Sequence, residues 1–129
     1  MSVLGELQPN KVFKYFEEIC SIPHGSRNLQ QISDYLVDFA KAHELKYRQD
    51  EDLNVIIWKD GSKGYEASEP VILQGHMDMV AVKEADCDKD MEKEGLDLEI
   101  NGDYISAKGT SLGGDDGIAV AYTLVSVRR

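Results

Sequence analysis

No stretch of this 129-residue sequence carries an apolar run long enough to span a bilayer, and the N-terminus lacks a basic-then-apolar secretion pattern. The expectation is a cytoplasmic protein with no membrane partner. Cysteine is scarce. Cys20 and Cys87 stand far apart with no C-x-x-C pair, which argues against a zinc knuckle and a disulfide scaffold. Positive charge is also short: 14 Lys and Arg face 24 Asp and Glu, a formal net charge of −10. A polyanion such as nucleic acid is therefore not an expected partner. Internal repeats, low-complexity tracts and interdomain linkers are missing too, so residues 1–129 read as a single domain. What is present is ordinary for a globular chain with a real core: 42% hydrophobic and 29% charged residues.

The negative charge is concentrated. Between Glu84 and Asp103 there are nine acids and only two bases, Lys89 and Lys93, a balance of −7. Asp86, Asp88 and Asp90 alternate as in a calcium loop, but the glycine and distal glutamate of an EF-hand do not follow. A solvated surface loop accounts for this stretch.

Hydrophobic periodicity gives alternating helix and strand. Pro9 lies at a helix start, and Val12, Phe13, Phe16, Ile19 and Cys20 recur at helical spacing until Pro23 and Gly25 break the pattern. Leu29, Ile32, Leu36, Phe39 and His43 mark a second helix. Leu45 and Tyr47 alternate in a short strand. "LNVIIW", Leu53 to Trp58, is apolar on both faces, as a central strand would be. Val71 to Gly75 predicts a further, buried strand. A turn at Asn101-Gly102 predicts a hairpin pairing Leu98 with Ile105 and Leu96 with Ala107. A last helix begins near Asp116. The order predicts an α/β fold with a mixed β-sheet and flanking helices.

Two segments carry residues suited to chemistry. In "VILQGHMDMV", His76 and Asp78 follow the apolar run with one residue between them. Side chains two apart on a strand point the same way, roughly 6 to 7 Å apart along the chain. A metal-binding imidazole usually gives its other N–H to a carboxylate, and Asp78 is placed to accept it. A surface histidine beside a surface aspartate is the bland alternative. In "GTSLGGDDG", Asp115 and Asp116 open a helix after two glycines. The stretch lacks the Lys-Ser/Thr of a phosphate-binding loop, and adjacent acids attract a cation instead. Helix capping explains one aspartate but not the empty space before the pair.

Together and in this order, "ICSIPHGS", "NVIIWK", "VILQGHMDMV" and "GTSLGGDDGIAVA" resemble the aminoacyl-histidine dipeptidases. These are Xaa-His, carnosinase-type enzymes of the di-zinc aminoacylase/carboxypeptidase metallopeptidase clan. The resemblance covers nearly the whole chain and implies the N-terminal part of a zinc-peptidase-like catalytic domain. It implies His76 as a ligand to one metal, Asp78 as the catalytic residue that orients it, and Asp115 as the carboxylate bridging two divalent ions, zinc by analogy. A bridging carboxylate suits ions roughly 3.5 to 4 Å apart. The resemblance also implies a cis Asp115–Asp116 peptide. Gly114 stands where the family commonly has Ala, and Asp116 where the dipeptidase branch favours Asn.

The implied reaction is metal-dependent hydrolysis of a small dipeptide of β-alanyl-histidine type by a longer parent. The family's Glu-Glu pair, which supplies the general base, a further acid and a C-terminal histidine lie downstream of the helix ending at Arg129. The only Glu-Glu pair here, Glu17-Glu18, falls in the first helix. Residues 1–129 alone are therefore expected to be inactive and to bind metal weakly or not at all. His24 and His43 read as structural. A deacylase or aminopeptidase of the same clan is the alternative within the resemblance. A non-catalytic module is the alternative outside it, self-associating as a homo-oligomer through an exposed sheet edge or helix.

Overall fold

Among the described residues, three helices and four strands follow in the order α1 (Asn10–Cys20), α2 (Gln30–Ala42), β1 (Lys46–Gln49), β2 (Val55–Trp58), β3 (Leu98–Asn101), β4 (Tyr104–Ala107) and α3 (Gly114–Val127). They come from a computed structural model that describes residues 2–129. The apolar stripe of α1 places Val12, Phe16, Ile19 and Cys20 in the core, where α1 packs on α3. Gly117 makes the close approach possible, since a Cβ there would lie 3.2 Å from the Phe16 ring. Ala121 and Leu124 continue the contact face of α3 and are buried.

Helix α2 covers the β1–β2 hairpin. Ser33, fully buried, donates its hydroxyl to the Leu53 carbonyl at 2.8 Å and accepts from Gln49 Nε2 at 2.8 Å. Those two bonds satisfy a polar group in the core and tie the helix to β1 and to the turn that follows it. In the turn, Asp50 accepts from the backbone N–H groups of Asp52 and Asn54 and from the Asn54 amide. That bonding turns the chain locally.

The α/β class stands, but the strands form two separate antiparallel pairs, β1–β2 and β3–β4, instead of one mixed sheet. The missing link is Val71–Gly75, expected as a buried strand. It finds no ladder partner among the described residues, and Val71, Ile72 and Leu73 are 84%, 88% and 52% exposed. An apolar run becomes a strand only where a neighbour supplies its hydrogen bonds. For the same reason β2 is not a central strand: among the described residues it pairs only with β1, and Ile56 and Trp58 face outward. The second hairpin differs in register by two residues. Leu98 pairs with Ala107 and Asn101 with Tyr104, so Gly102-Asp103 forms the turn. Gly102, at φ +61, occupies the first central position, where a two-residue loop needs positive φ. A shift of two preserves the faces, and Leu98 and Ala107 still point into the core.

Among the described residues, no helix is long and apolar enough to cross a membrane.

Candidate metal centre

The segment after Leu73 is held by loops on both sides. On one side Met79 and Gly25 form a parallel bridge: the Met79 N–H donates to the His24 carbonyl, and the Ser26 N–H to the Met79 carbonyl, each at 3.0 Å. A side chain at Gly25 would collide with Ala81, its Cβ only 2.8 Å from that of Ala81. On the other side Ser111 donates its hydroxyl to the Val80 carbonyl at 2.6 Å and its N–H to the Val82 carbonyl at 3.0 Å. Ser111 lies just before Gly113, so the same clamp carries the chain into α3. Gly113 takes φ +73 and lies against Met79, whose Sδ would be 2.9 Å from an added Cβ. Only glycine meets both demands.

These clamps bring the two candidate segments together. His76 Nε2 lies 3.0 Å from Asp115 Oδ1, and His76 Nδ1 lies 3.0 Å from Asp78 Oδ1 and 3.1 Å from the Asp78 carbonyl. The Asp78 oxygens facing Nδ1 and the Asp115 oxygen facing Nε2 are all acceptors, so each of these bonds needs the proton on the ring nitrogen that makes it. Asp116 joins the group: its Oδ2 accepts the His76 backbone N–H at 3.1 Å. The Asp115–Asp116 peptide is cis, and neither residue has helical dihedrals, so regular α3 begins at Gly117. His76, Asp115 and Asp116 each present a ligand-type atom within 4.8 Å of the other two. Asp115 is 93% exposed.

Burial pushes the His76 pKa down but is outweighed by its bonds to Asp115 and Asp78, and the imidazole lies above its ordinary value. The Ser26 hydroxyl leads in holding the Asp78 carboxyl below the usual range, with His76 adding to it against a smaller effect of burial. The other two histidines lie elsewhere. His24 is buried, with Nδ1 2.6 Å from the Ile22 carbonyl, and burial depresses its pKa. His43 packs its ring on Phe39. Glu17 caps the chain's first residues, and Glu18 accepts from the Tyr35 hydroxyl at 2.6 Å, so that pair stands apart from the site.

Sequence reasoning did not assign Asp116 to the cluster or Ser26 to Asp78. The adjacent acid was a signal for Asp116. For Ser26 nothing local points to residue 78, since the contact spans 52 positions.

The donor set fits a divalent ion. An imidazole nitrogen with two carboxylates suits zinc, manganese or cobalt, and three protein ligands is the number a catalytic zinc uses. Nε2 faces Asp115 while Nδ1 is held by the acceptors of Asp78, and a ligating histidine commonly gives one ring N–H to such an acceptor while the other nitrogen takes the ion.

No protein-family model matches the chain. The fold is that of part of a peptidase domain. It superposes on the crystal structure of aminoacylhistidine dipeptidase from Vibrio alginolyticus with a TM-score of 0.92 and 37% identity, over 97% of this chain and 26% of that one. The chain is also 39% identical over 124 residues to the cytosol non-specific dipeptidase of Escherichia coli (strain K12), covering 96% of this chain and 26% of the relative. It is thus homologous to dipeptidases and spans about a quarter of their length.

Proposed function

We propose that this chain contributes part of the metal site of a cytoplasmic dipeptidase that hydrolyses small dipeptides, Xaa-His substrates such as β-alanyl-histidine among them. The observation that carries the reading is that His76, Asp115 and Asp116 present ligand-type atoms within 4.8 Å of one another, with Asp78 bonded to the His76 ring. Homology to two dipeptidases supports it.

In this reading His76 and Asp115 would hold two divalent ions, zinc by preference, Asp115 serving as the shared carboxylate. The chemistry such ions supply is Lewis acidity toward a peptide carbonyl and toward water. The chain's own residues do the rest of the positioning. Asp78 keeps the proton on His76 Nδ1, so Nε2 offers its lone pair. Asp116 fastens the His76 backbone and adds negative charge. Gly113 brings the turn close against Met79 without a side chain in the way. A general base and the remaining ligands come from other sequence. Val71–Leu73, exposed here, is covered by that sequence or by a second copy. The test is zinc or cobalt titration of the chain beside His76→Ala. Binding that survives the substitution unchanged rejects the site.

A further inference from the structure

We propose that Ser26 is a positioning residue for this site, acting on His76 through Asp78; the proposal rests on the reading of His76 as a metal ligand. Ser26 Oγ donates to Asp78 Oδ2 at 2.7 Å. The Met79 carbonyl, 3.4 Å from the same hydroxyl, is the poorer acceptor, so the single proton goes to the carboxylate. Asp78 is thereby held at both ends: Oδ2 by Ser26, Oδ1 by His76 Nδ1–H. A carboxylate fixed at only one oxygen is free to turn about its last bond, and the histidine it orients turns with it.

The backbone makes the contact a built one. Ser26 sits in the loop after α1, and its own N–H is bonded to the Met79 carbonyl, one residue beyond Asp78. Asn28 N–H closes the loop on the Gly25 carbonyl at 2.8 Å. The hydroxyl is thus placed by main-chain bonds that a side-chain change leaves intact.

The consequence is a bias between the two neutral forms of the imidazole. In the metal-free chain Nδ1 faces the Asp78 carbonyl and carboxylate, while Nε2 faces Asp115. A fixed Asp78 favours the form with hydrogen on Nδ1, which leaves Nε2 free for an ion. Loss of the Ser26 hydroxyl loosens Asp78 and moves the balance toward hydrogen on Nε2.

The experiment has two arms. Nitrogen-15 NMR of the metal-free chain at about pH 9, where histidine is ordinarily neutral, reads the His76 tautomer in wild type, Ser26→Ala and Ser26→Thr. Ser26→Ala is expected to lower the Nδ1–H fraction, and Ser26→Thr, which keeps the hydroxyl, to restore it. Cobalt titration then compares Ser26→Ala with wild type and with the same change made on Asp78→Ala. The expected loss is roughly three- to tenfold, below the 10- to 100-fold typical of losing a direct partner, and it vanishes once Asp78 is absent. An unchanged tautomer, a change that threonine fails to restore, or an equal loss on the Asp78→Ala background overturns the proposal. Failure of the metal reading looks different: His76→Ala binds cobalt as tightly as wild type, while the tautomer arm still decides the role of Ser26.

Discussion

His76 and Asp115 are 39 residues apart in sequence, yet Nε2 of one lies 3.0 Å from Oδ1 of the other. Neither belongs to a paired strand or to regular helix. Their meeting depends on loops laced to loops: Met79 to His24 and Ser26, Val80 and Val82 to Ser111. The half-exposed His76 imidazole thus stands between the Asp78 and Asp115 carboxylates, all on clamped backbone.

Metal binding should therefore depend on His76 and Asp115 separately. His76→Ala or Asp115→Asn is expected to weaken zinc binding by at least the 10- to 100-fold typical of losing even a ligand's supporting partner. His43→Ala, whose ring packs on Phe39, should leave it unchanged. Isothermal titration of the chain with each substitution checks this, and equal affinities for all three would reject the assignment.

Gly113 fixes the entry of the chain into α3. Gly113→Ala should cost about 1–3 kcal/mol of stability, because alanine at φ +73 is strained and its Cβ would crowd Met79 Sδ and Cβ. Gly114→Ala, with nothing within 4 Å of its Cβ, should cost far less. Urea denaturation of the two variants gives the comparison directly.

The helices were legible because burial follows from spacing along one chain segment: Phe16, Ile19, Leu36 and Phe39 lie inside where their period puts them. Motif order singled out His76, Asp78 and Asp115, and the structure brings their side chains together. Sheet organisation was not legible. Whether Val71–Leu73 becomes a buried strand depends on a ladder partner, and partners are not encoded in the segment itself. The hairpin register escaped for a related reason: Asn101-Gly102 and Gly102-Asp103 are both acceptable turns, and the two registers present the same faces. Ser26 was hidden because a serine in a loop carries no signal of what lies across from it.

Acid should weaken one particular fastening. Glu17 accepts from the Val3 and Leu4 N–H groups, each at 2.8 Å, and from Ser2 Oγ at 3.0 Å. Burial raises its pKa, but those hydrogen bonds outweigh it and the carboxyl lies below its ordinary value. A depressed folded pKa contributes stability that is present above the unfolded value and lost as pH falls through the folded one. The stability gap between wild type and Glu17→Gln should thus be constant near neutrality and shrink in acid, from the ordinary glutamate pKa downward. Urea midpoints of both chains across that range test the sign; a gap that widens in acid contradicts it.

Val71, Ile72 and Leu73 form a contiguous exposed apolar run whose backbone has no ladder partner among the described residues. Such segments recruit a pairing strand. The chain alone is expected to form a dimer or larger species, and Ile72→Asp to raise the monomer fraction. Size-exclusion chromatography with light scattering reads both, and a clean wild-type monomer at high concentration would contradict the prediction.

Activity is the most demanding test. Peptide hydrolysis needs an activated water, a base to take its proton and a group to stabilise the tetrahedral charge. Among the described residues the metal-competent group is His76, Asp115 and Asp116, with no glutamate in it. Glu17 and Glu18 are spent on the chain's first residues and on Tyr35. A missing general base alone typically costs 10²–10⁴-fold, and an incomplete ligand set removes the water it would act on. Residues 1–129 by themselves should therefore show no detectable hydrolysis of carnosine or Gly-His, with or without added zinc, cobalt or manganese. The control is His76→Ala under the same conditions. Turnover that disappears with that substitution would mean that the chain, as an oligomer, assembles a complete site from its own residues. The division of labour proposed between this chain and other sequence would then be wrong.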